Sequence, residues 1–102
     1  MAGRLELTES AFEILGRKWN GLIIQTLLDS PDGSLHFTEL SRTVHACSDR
    51  VLTVRLKELE DAGIIERGCC PDNGKFGYRL TEKGFSMRPL MSEISSWAAN
   101  NI

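Results

Sequence analysis

The stretch Ser48-Asp49-Arg50-Val51-Leu52-Thr53-Val54-Arg55-Leu56-Lys57-Glu58-Leu59-Glu60-Asp61-Ala62-Gly63 reads as one helix with a marked start and stop. The Ser48 hydroxyl is placed to accept from a first-turn N–H, and Asp49 sits where the helix dipole favours negative charge. Gly63 ends the run, because only glycine enters the left-handed conformation cheaply. Leu52, Leu56 and Leu59 recur at i, i+4 and i+7 and form one apolar stripe that must be buried. The opposite face carries Arg50, Thr53, Val54 and Lys57, with Arg55 on the flank. Arg, Thr and Lys near the start of a helix are residue types that reach base edges and phosphates. A merely solvated helix face has the same composition, so the neighbours of this helix decide between the two.

Upstream, Thr38 is placed to cap a helix over Thr38–Val44, with Glu39 in its first turn and Leu40 and Val44 facing inward. His45-Ala46-Cys47 is the turn into the next helix. Two helices joined so closely have the spacing of a helix-turn-helix, whose second helix enters the major groove. Downstream the period changes from helical to alternating. Ile64–Cys69 reads as a strand, Cys70-Pro71-Asp72-Asn73-Gly74-Lys75 as a loop, and Phe76–Leu80 as the return strand. A hairpin directly after a helix-turn-helix is a wing, here at about residues 69–76, and Asn73-Gly74 favours a tight turn projecting Lys75. The fold class is therefore mainly α with a small β-hairpin, a winged helix-turn-helix spanning residues 1–102 as a single domain.

Toward the N-terminus, Thr8–Leu15 reads as a short helix with Thr8 as N-cap and Ala11, Phe12, Ile14 and Leu15 apolar. Gly16 stops it. A second helix over Trp19–Leu28 is apolar on more than one side and is expected to be central. Trp19 reads as a packing anchor, with base stacking as the alternative. Asp29–Ser34 is a turn cluster, and Leu35-His36-Phe37 pairs as a bridge or short strand. Thr81 caps a last helix carrying Met87, Leu90, Met91, Ile94, Trp97 and Ala98 in one long stripe, and Pro89 inside it demands a kink or restart.

Composition excludes several classes. The 102 residues carry 12 basic and 14 acidic side chains, net −2, which argues against non-specific coating of nucleic acid. Between Arg42 and Lys57, however, the bases Arg42, Arg50, Arg55 and Lys57 face only Asp49 among the acids, so positive charge concentrates on the opening helix. No apolar run approaches a membrane span and no signal region precedes the fold, which points to the cytoplasm. The three cysteines, Cys47, Cys69 and Cys70, read as free thiols. They lack metal spacing with His36 or His45, so neither a metal nor another cofactor is expected. No nucleophile–base motif or phosphate-binding glycine loop is present, and an enzyme is not expected.

Gly16-Arg17-Lys18-Trp19, Phe37-Thr38-Glu39-Leu40, Leu52-Thr53-x-Arg55-Leu56-Lys57-Glu58-Leu59-Glu60-x-x-Gly63 and Tyr78-Arg79-Leu80-Thr81-Glu82-Lys83-Gly84, followed by Pro89 and Trp97, together resemble the HxlR-type regulators, winged-helix transcription factors related to the MarR group. The resemblance spans about Phe12 to Trp97 and implies a sequence-specific double-stranded DNA-binding regulator. It further implies a homodimer built from the terminal helices, here 8–15 and 82–99; the first functional reading is a dimeric regulator that represses by occlusion. Phe12, Leu15, Met87, Leu90, Met91, Ile94 and Trp97 would form the interface, unless Trp97 folds back on its own domain. A two-fold dimer sets its recognition helices about 34 Å apart and predicts a pseudo-palindromic operator.

Carried onto this chain, the recognition helix is 48–62, and its DNA-facing residues are Ser48, Arg50, Thr53, Val54, Arg55 and Lys57. Arg50 is the base-reading candidate, toward guanine. Thr53 suits a thymine methyl or a phosphate, Lys57 and Arg55 suit phosphates, and Lys75 reaches out from the wing. Arg42 and Arg79 are open between phosphate contact and solvated charge. Glu58 and Glu60 are expected to be structural or solvent-facing. Many members of the family carry a reactive cysteine just before the first helix and respond to quinones, aldehydes or oxidants. Here Glu6 occupies that place, so Cys47, Cys69 and Cys70 are the thiols left for a redox or small-molecule effector. Cys47 lies at a helix N-terminus, which can lower a thiol pKa, or is a small buried turn residue. The alternative function is a winged-helix protein-interaction or assembly module without specific DNA binding, which would not need Arg50 and Lys57 on one face.

Overall fold

A computed structural model describes residues 3–69 and 76–102. The chain runs α1 (Arg4–Leu15), α2 (Asn20–Asp29), β1 (Ser34–His36), α3 (Phe37–Thr43), α4 (Asp49–Asp61), β2 (Ile65–Cys69), β3 (Phe76–Leu80), α5 (Glu82–Phe85) and α6 (Arg88–Asn101). The three strands form an antiparallel sheet in the order β1-β3-β2. Leu35 and Arg67 both stand opposite Tyr78, and Ile65 stands opposite Leu80. Cys70 and Lys75, which belong to the expected turn of the wing, lie outside the described residues.

The core is one cluster. Leu52 and Leu59 of α4 are fully buried there with Ile23, Ile24 and Leu27 of α2 and Leu40 of α3. Ile64, Ile65 and Leu80 extend it under the sheet, and Met91 brings in α6. Each such side chain contributes about 1.5–3 kcal/mol by leaving water. Trp19 precedes α2 with a φ of 82°, a left-handed conformation that is costly for a bulky residue. Its ring packs on the core, and the Lys18 ammonium sits 5.0 Å from the ring centroid. Burial of the indole opposes the backbone strain, consistent with the reading of Trp19 as a packing anchor.

Two expected caps move and one expected helix divides. The first helix begins at Arg4, so Thr8 is not its N-cap; the Thr8 hydroxyl instead donates back to the Arg4 carbonyl at 2.9 Å. The segment Arg4-Leu5-Glu6-Leu7 consists of good helix formers, and Thr8 is satisfied inside a helix by this back-bond. The third helix starts directly from β1. Its N-cap position is therefore His36 rather than Thr38, and the Glu39 carboxylate accepts from the His36 N–H at 2.9 Å. The last helix is divided: α5 stops at Phe85 and α6 restarts at Arg88 with Pro89 in its first turn, where the missing N–H of proline is harmless.

The exit from α4 is pinned by several bonds. Gly63 has a φ of 77° and turns the chain toward β2. The Thr81 hydroxyl donates to the Gly63 carbonyl at 2.6 Å and accepts from Gly84 N–H at 3.2 Å, as the sequence predicts for a cap. Lys83 Nζ donates to the Ala62 carbonyl at 2.6 Å, a cation at a helix C-terminus. Gly84 is buried at this crossing, and a Cβ there would lie 2.3 Å from the Ile64 carbonyl oxygen and 2.8 Å from Leu80 Cδ2. Gly84→Ala is accordingly expected to lose about 1–3 kcal/mol by overpacking. Gly21→Ala, whose Cβ meets nothing within 4 Å, is expected to be stabilising by about 0.5–1 kcal/mol through helix propensity. Urea denaturation of both variants checks the contrast in sign.

Candidate nucleic-acid interface

Two helices and their turn build the site. Ser48 caps α4 by accepting from Val51 N–H at 3.2 Å. Asp49 reaches across to α3, accepting from the Ser41 hydroxyl at 2.6 Å. This bond and the buried leucines set the angle between α3 and α4. Because α4 turns Leu52, Leu56 and Leu59 inward, Arg50, Thr53, Val54 and Lys57 are all exposed on the other side. The structure thus brings together four of the residues expected on the outer face.

Their chemical freedom differs. Arg50 in the first turn of α4 and Arg42 in the last turn of α3 have no ion-pair partner among the described residues. Lys57 Nζ lies 3.1 Å from Asp61 and 4.0 Å from Glu60. The hydrogen bond to Asp61, then its charge, raises the Lys57 pKa above the usual lysine value. The Thr53 hydroxyl proton is used on the Asp49 carbonyl at 2.8 Å, which leaves its methyl and an oxygen lone pair outward. Arg79 on β3 pairs across the strands with Glu66 at 3.5 Å.

Arg55 has a different position. Its side chain is 19% exposed. Nε donates to the Lys18 carbonyl at 3.0 Å, and the guanidinium pairs with Glu58. Glu58 also faces Arg17 at 3.5 Å. Arg55 therefore clamps α4 to the junction between α1 and α2, and Glu58, open in sequence between a structural and a solvent-facing role, takes the structural one. The Arg17–Glu58–Arg55 link is not visible from spacing, since Arg17 lies far from α4 along the chain.

Cys47 is 3% exposed and belongs to the core cluster. Its thiol donates to the Ser48 carbonyl at 3.5 Å. Burial pushes its pKa up, outweighing the nearby Arg55 and Lys18 charges. Of the two readings of Cys47, its burial matches the small buried turn residue rather than a thiol activated by the start of α4: it lies in the core, where desolvation outweighs the helix dipole. Cys69 ends β2, and Cys70 lies outside the described residues.

The long C-terminal stripe splits in two. Met91 is buried and Met87 packs on the core, as does Leu15 of α1. Leu90, Ile94 and Trp97 are exposed, Trp97 by 62%, so Trp97 does not fold back on its own core. Phe12 is 67% exposed, and Leu5, Leu7, Leu22 and Ile102 add exposed apolar side chains that the stripe did not indicate. Helix α1 has no buried residue at all. Several large apolar side chains left exposed on α1 and α6 are the kind of surface that suits an interaction face. Among the described residues no group of histidine, cysteine and carboxylate side chains is arranged to hold a metal, and no helix is long and apolar enough to cross a membrane.

Comparison with known proteins places this geometry. The HxlR-like helix-turn-helix family matches over residues 14–102. Over 91 residues the chain is 44% identical to the HTH-type transcriptional regulator YodB of Bacillus subtilis strain 168, covering 88% of this chain and 79% of that protein. The solved reduced form of YodB from B. subtilis has a TM-score of 0.82 at 39% identity, covering 99% of this chain and 95% of that one. Its quinone-bound form has a TM-score of 0.80 at 40% identity, covering 93% and 98%.

The position of Cys47 leads to a reactivity prediction. In a Cys69→Ser/Cys70→Ser background, the native protein is expected to react with a disulfide reagent more slowly than its urea-unfolded form. The rate should still be rising with pH above the ordinary thiol pKa of about 8.5. Equal rates for folded and unfolded protein at pH 8 would place the thiol in solvent.

Proposed function

Since the chain belongs to the HxlR-like helix-turn-helix family of DNA-binding transcriptional regulators, we propose that it acts as a homodimeric repressor that reads a pseudo-palindromic operator through α4. The observation that carries this reading is the two-sided character of α4, with three leucines buried and Arg50, Thr53, Val54 and Lys57 exposed together. Arg50 reads a guanine edge, for which its guanidinium, without an ion-pair partner among the described residues, suits bidentate contact. Val54 and the Thr53 methyl meet thymine methyl groups. Ser48, Arg42 and Lys57 hold phosphates, Lys57 by exchanging Asp61 for the backbone. Lys75 and Arg79 contact the backbone from the wing. Arg55 supports α4 from behind.

The dimer uses Phe12, Leu90, Ile94 and Trp97, supported by Leu15, Met87 and Met91 beneath them. The quinone-bound form of YodB supports a small-molecule or redox effector for this chain as well. Glu6, in the place of the family's reactive cysteine, is an exposed residue of the first turn of α1. With Cys47 buried, Cys69 and Cys70 are the thiols left for redox chemistry.

Two measurements test the proposal. Titration against the DNA upstream of its own gene should show affinity falling steeply with salt, as counterion release requires. Arg50→Ala should cost about 1–3 kcal/mol and relax preference at one operator position, whereas Arg42→Ala should weaken all sequences evenly. Equal, sequence-independent losses would remove Arg50 from base reading. For the dimer, Ile94→Glu is expected to yield a folded monomer in sedimentation, since this side chain is exposed in the single chain. A dimer unchanged by Ile94→Glu and by Trp97→Glu would move the interface elsewhere.

A further inference from the structure

Lys18, at the junction between α1 and α2, is exposed, and no carboxylate pairs with it among the described residues. Its basic neighbours differ. Arg17 faces Glu58 at 3.5 Å, Arg55 pairs with the same carboxylate, and Lys57 is shared with Asp61 at 3.1 Å. The first turn of α2, directly after the junction, holds no acidic residue. The Lys18 ammonium lies instead 5.0 Å from the centroid of the Trp19 ring. A ring face attracts a cation without neutralising it. Trp19 is itself packed on the core, so the ammonium is held in place with its charge unspent.

Two contacts locate this charge relative to α4. Arg55 Nε donates to the Lys18 carbonyl at 3.0 Å, so the junction adjoins the middle of α4. The Lys18 charge also acts on the thiol of Cys47, the residue before the Ser48 cap, which sets the ammonium near the start of the helix. At about 100° per residue, Arg55 and Asp49 fall on opposite flanks of the buried leucines. Asp49 is bonded to Ser41, and Arg42 is the next residue of α3. The junction with Lys18 and the end of α3 with Arg42 therefore flank α4 on its two sides, and Arg50 stands in its first turn. Among the described residues none of these three cations has an ion-pair partner. A helix seated in a major groove has a sugar–phosphate strand along each side. One cation toward the bases and one toward each strand match that arrangement.

We propose that Lys18 contacts a backbone phosphate of the DNA strand on the junction side of α4, opposite the strand met by Arg42. The junction before α2 then belongs to the nucleic-acid interface, outside the helix-turn-helix and the wing. The contact reads no base. It fixes the orientation of α4 in the groove, and with it which outer-face residues reach base edges. It rests on the reading of α4 as the groove-binding helix.

The test is a count of phosphates on a random-sequence duplex. Each neutralised phosphate adds about 0.9 to the slope of log affinity against log salt, about a threefold loss of affinity between about 50 and 200 mM salt. Lys18→Gln is expected to lower this slope by about one per protomer, and to weaken the random duplex and the DNA upstream of the gene by the same factor. Lys18→Arg keeps the charge and should keep the wild-type slope. A slope unchanged in Lys18→Gln, or lost equally in Lys18→Arg, overturns the contact. In the wild-type protein, acetic anhydride should modify Lys18 several-fold more slowly when the duplex is bound, read by mass spectrometry. Equal rates with and without DNA overturn the contact whether or not a variant folds. Arg50→Ala distinguishes this contact from base reading. If Arg50→Ala leaves the preference for upstream over random DNA intact while Lys18 is protected, base reading falls and the phosphate contact stands. The reverse pattern strikes the contact alone.

Discussion

Helix α4 has to satisfy two environments at once. Its leucines fill the centre of the core, and its other face has to stay wet and chemically available. The other elements are arranged around that constraint. α2 supplies the opposing apolar wall with Ile23, Ile24 and Leu27. α3 sets the angle through Ser41 and Asp49. At the far end, Thr81 and Lys83 take up the carbonyls that a helix C-terminus leaves unpaired. Losing one of the leucines would cost about 2–5 kcal/mol, a large share of the stability of a domain this small.

The polar links around α4 do different work from its leucines. Arg55 lies on the helix that carries the outer face, yet its guanidinium points back to the Lys18 carbonyl and Glu58. Arg17 closes the link from the other side. The strained backbone at Trp19, with the ring packed on the core, fixes this junction in place. The end of α1 is therefore mechanically connected to α4.

The boundaries of α4 were legible because three local signals agree: the Ser48 cap, the leucine period and Gly63. The hairpin and the Thr81 cap were legible for the same reason. Thr8 and Thr38 misled because a threonine has more than one use near a helix start. It caps, or it bonds back to a carbonyl or stands in the first turn, and only the neighbouring backbone decides which. Pro89 signalled a break, but the break falls two residues earlier, since proline fits the first turn of a new helix.

Amino-acid order alone determined which helix has two faces, where the turn and wing lie, and that positive charge gathers at Arg42, Arg50, Arg55 and Lys57. These follow from periodicity and local caps, which need no distant partner. Tertiary structure decided which of those charges stay available. Arg55 is drawn inward by Lys18 and Glu58, and Lys57 is shared with Asp61. It likewise buried Cys47 and left Asn20 Oδ1 without a donor among the described residues. Burial and pairing depend on segments far apart along the chain meeting in space, and no local pattern encodes that meeting.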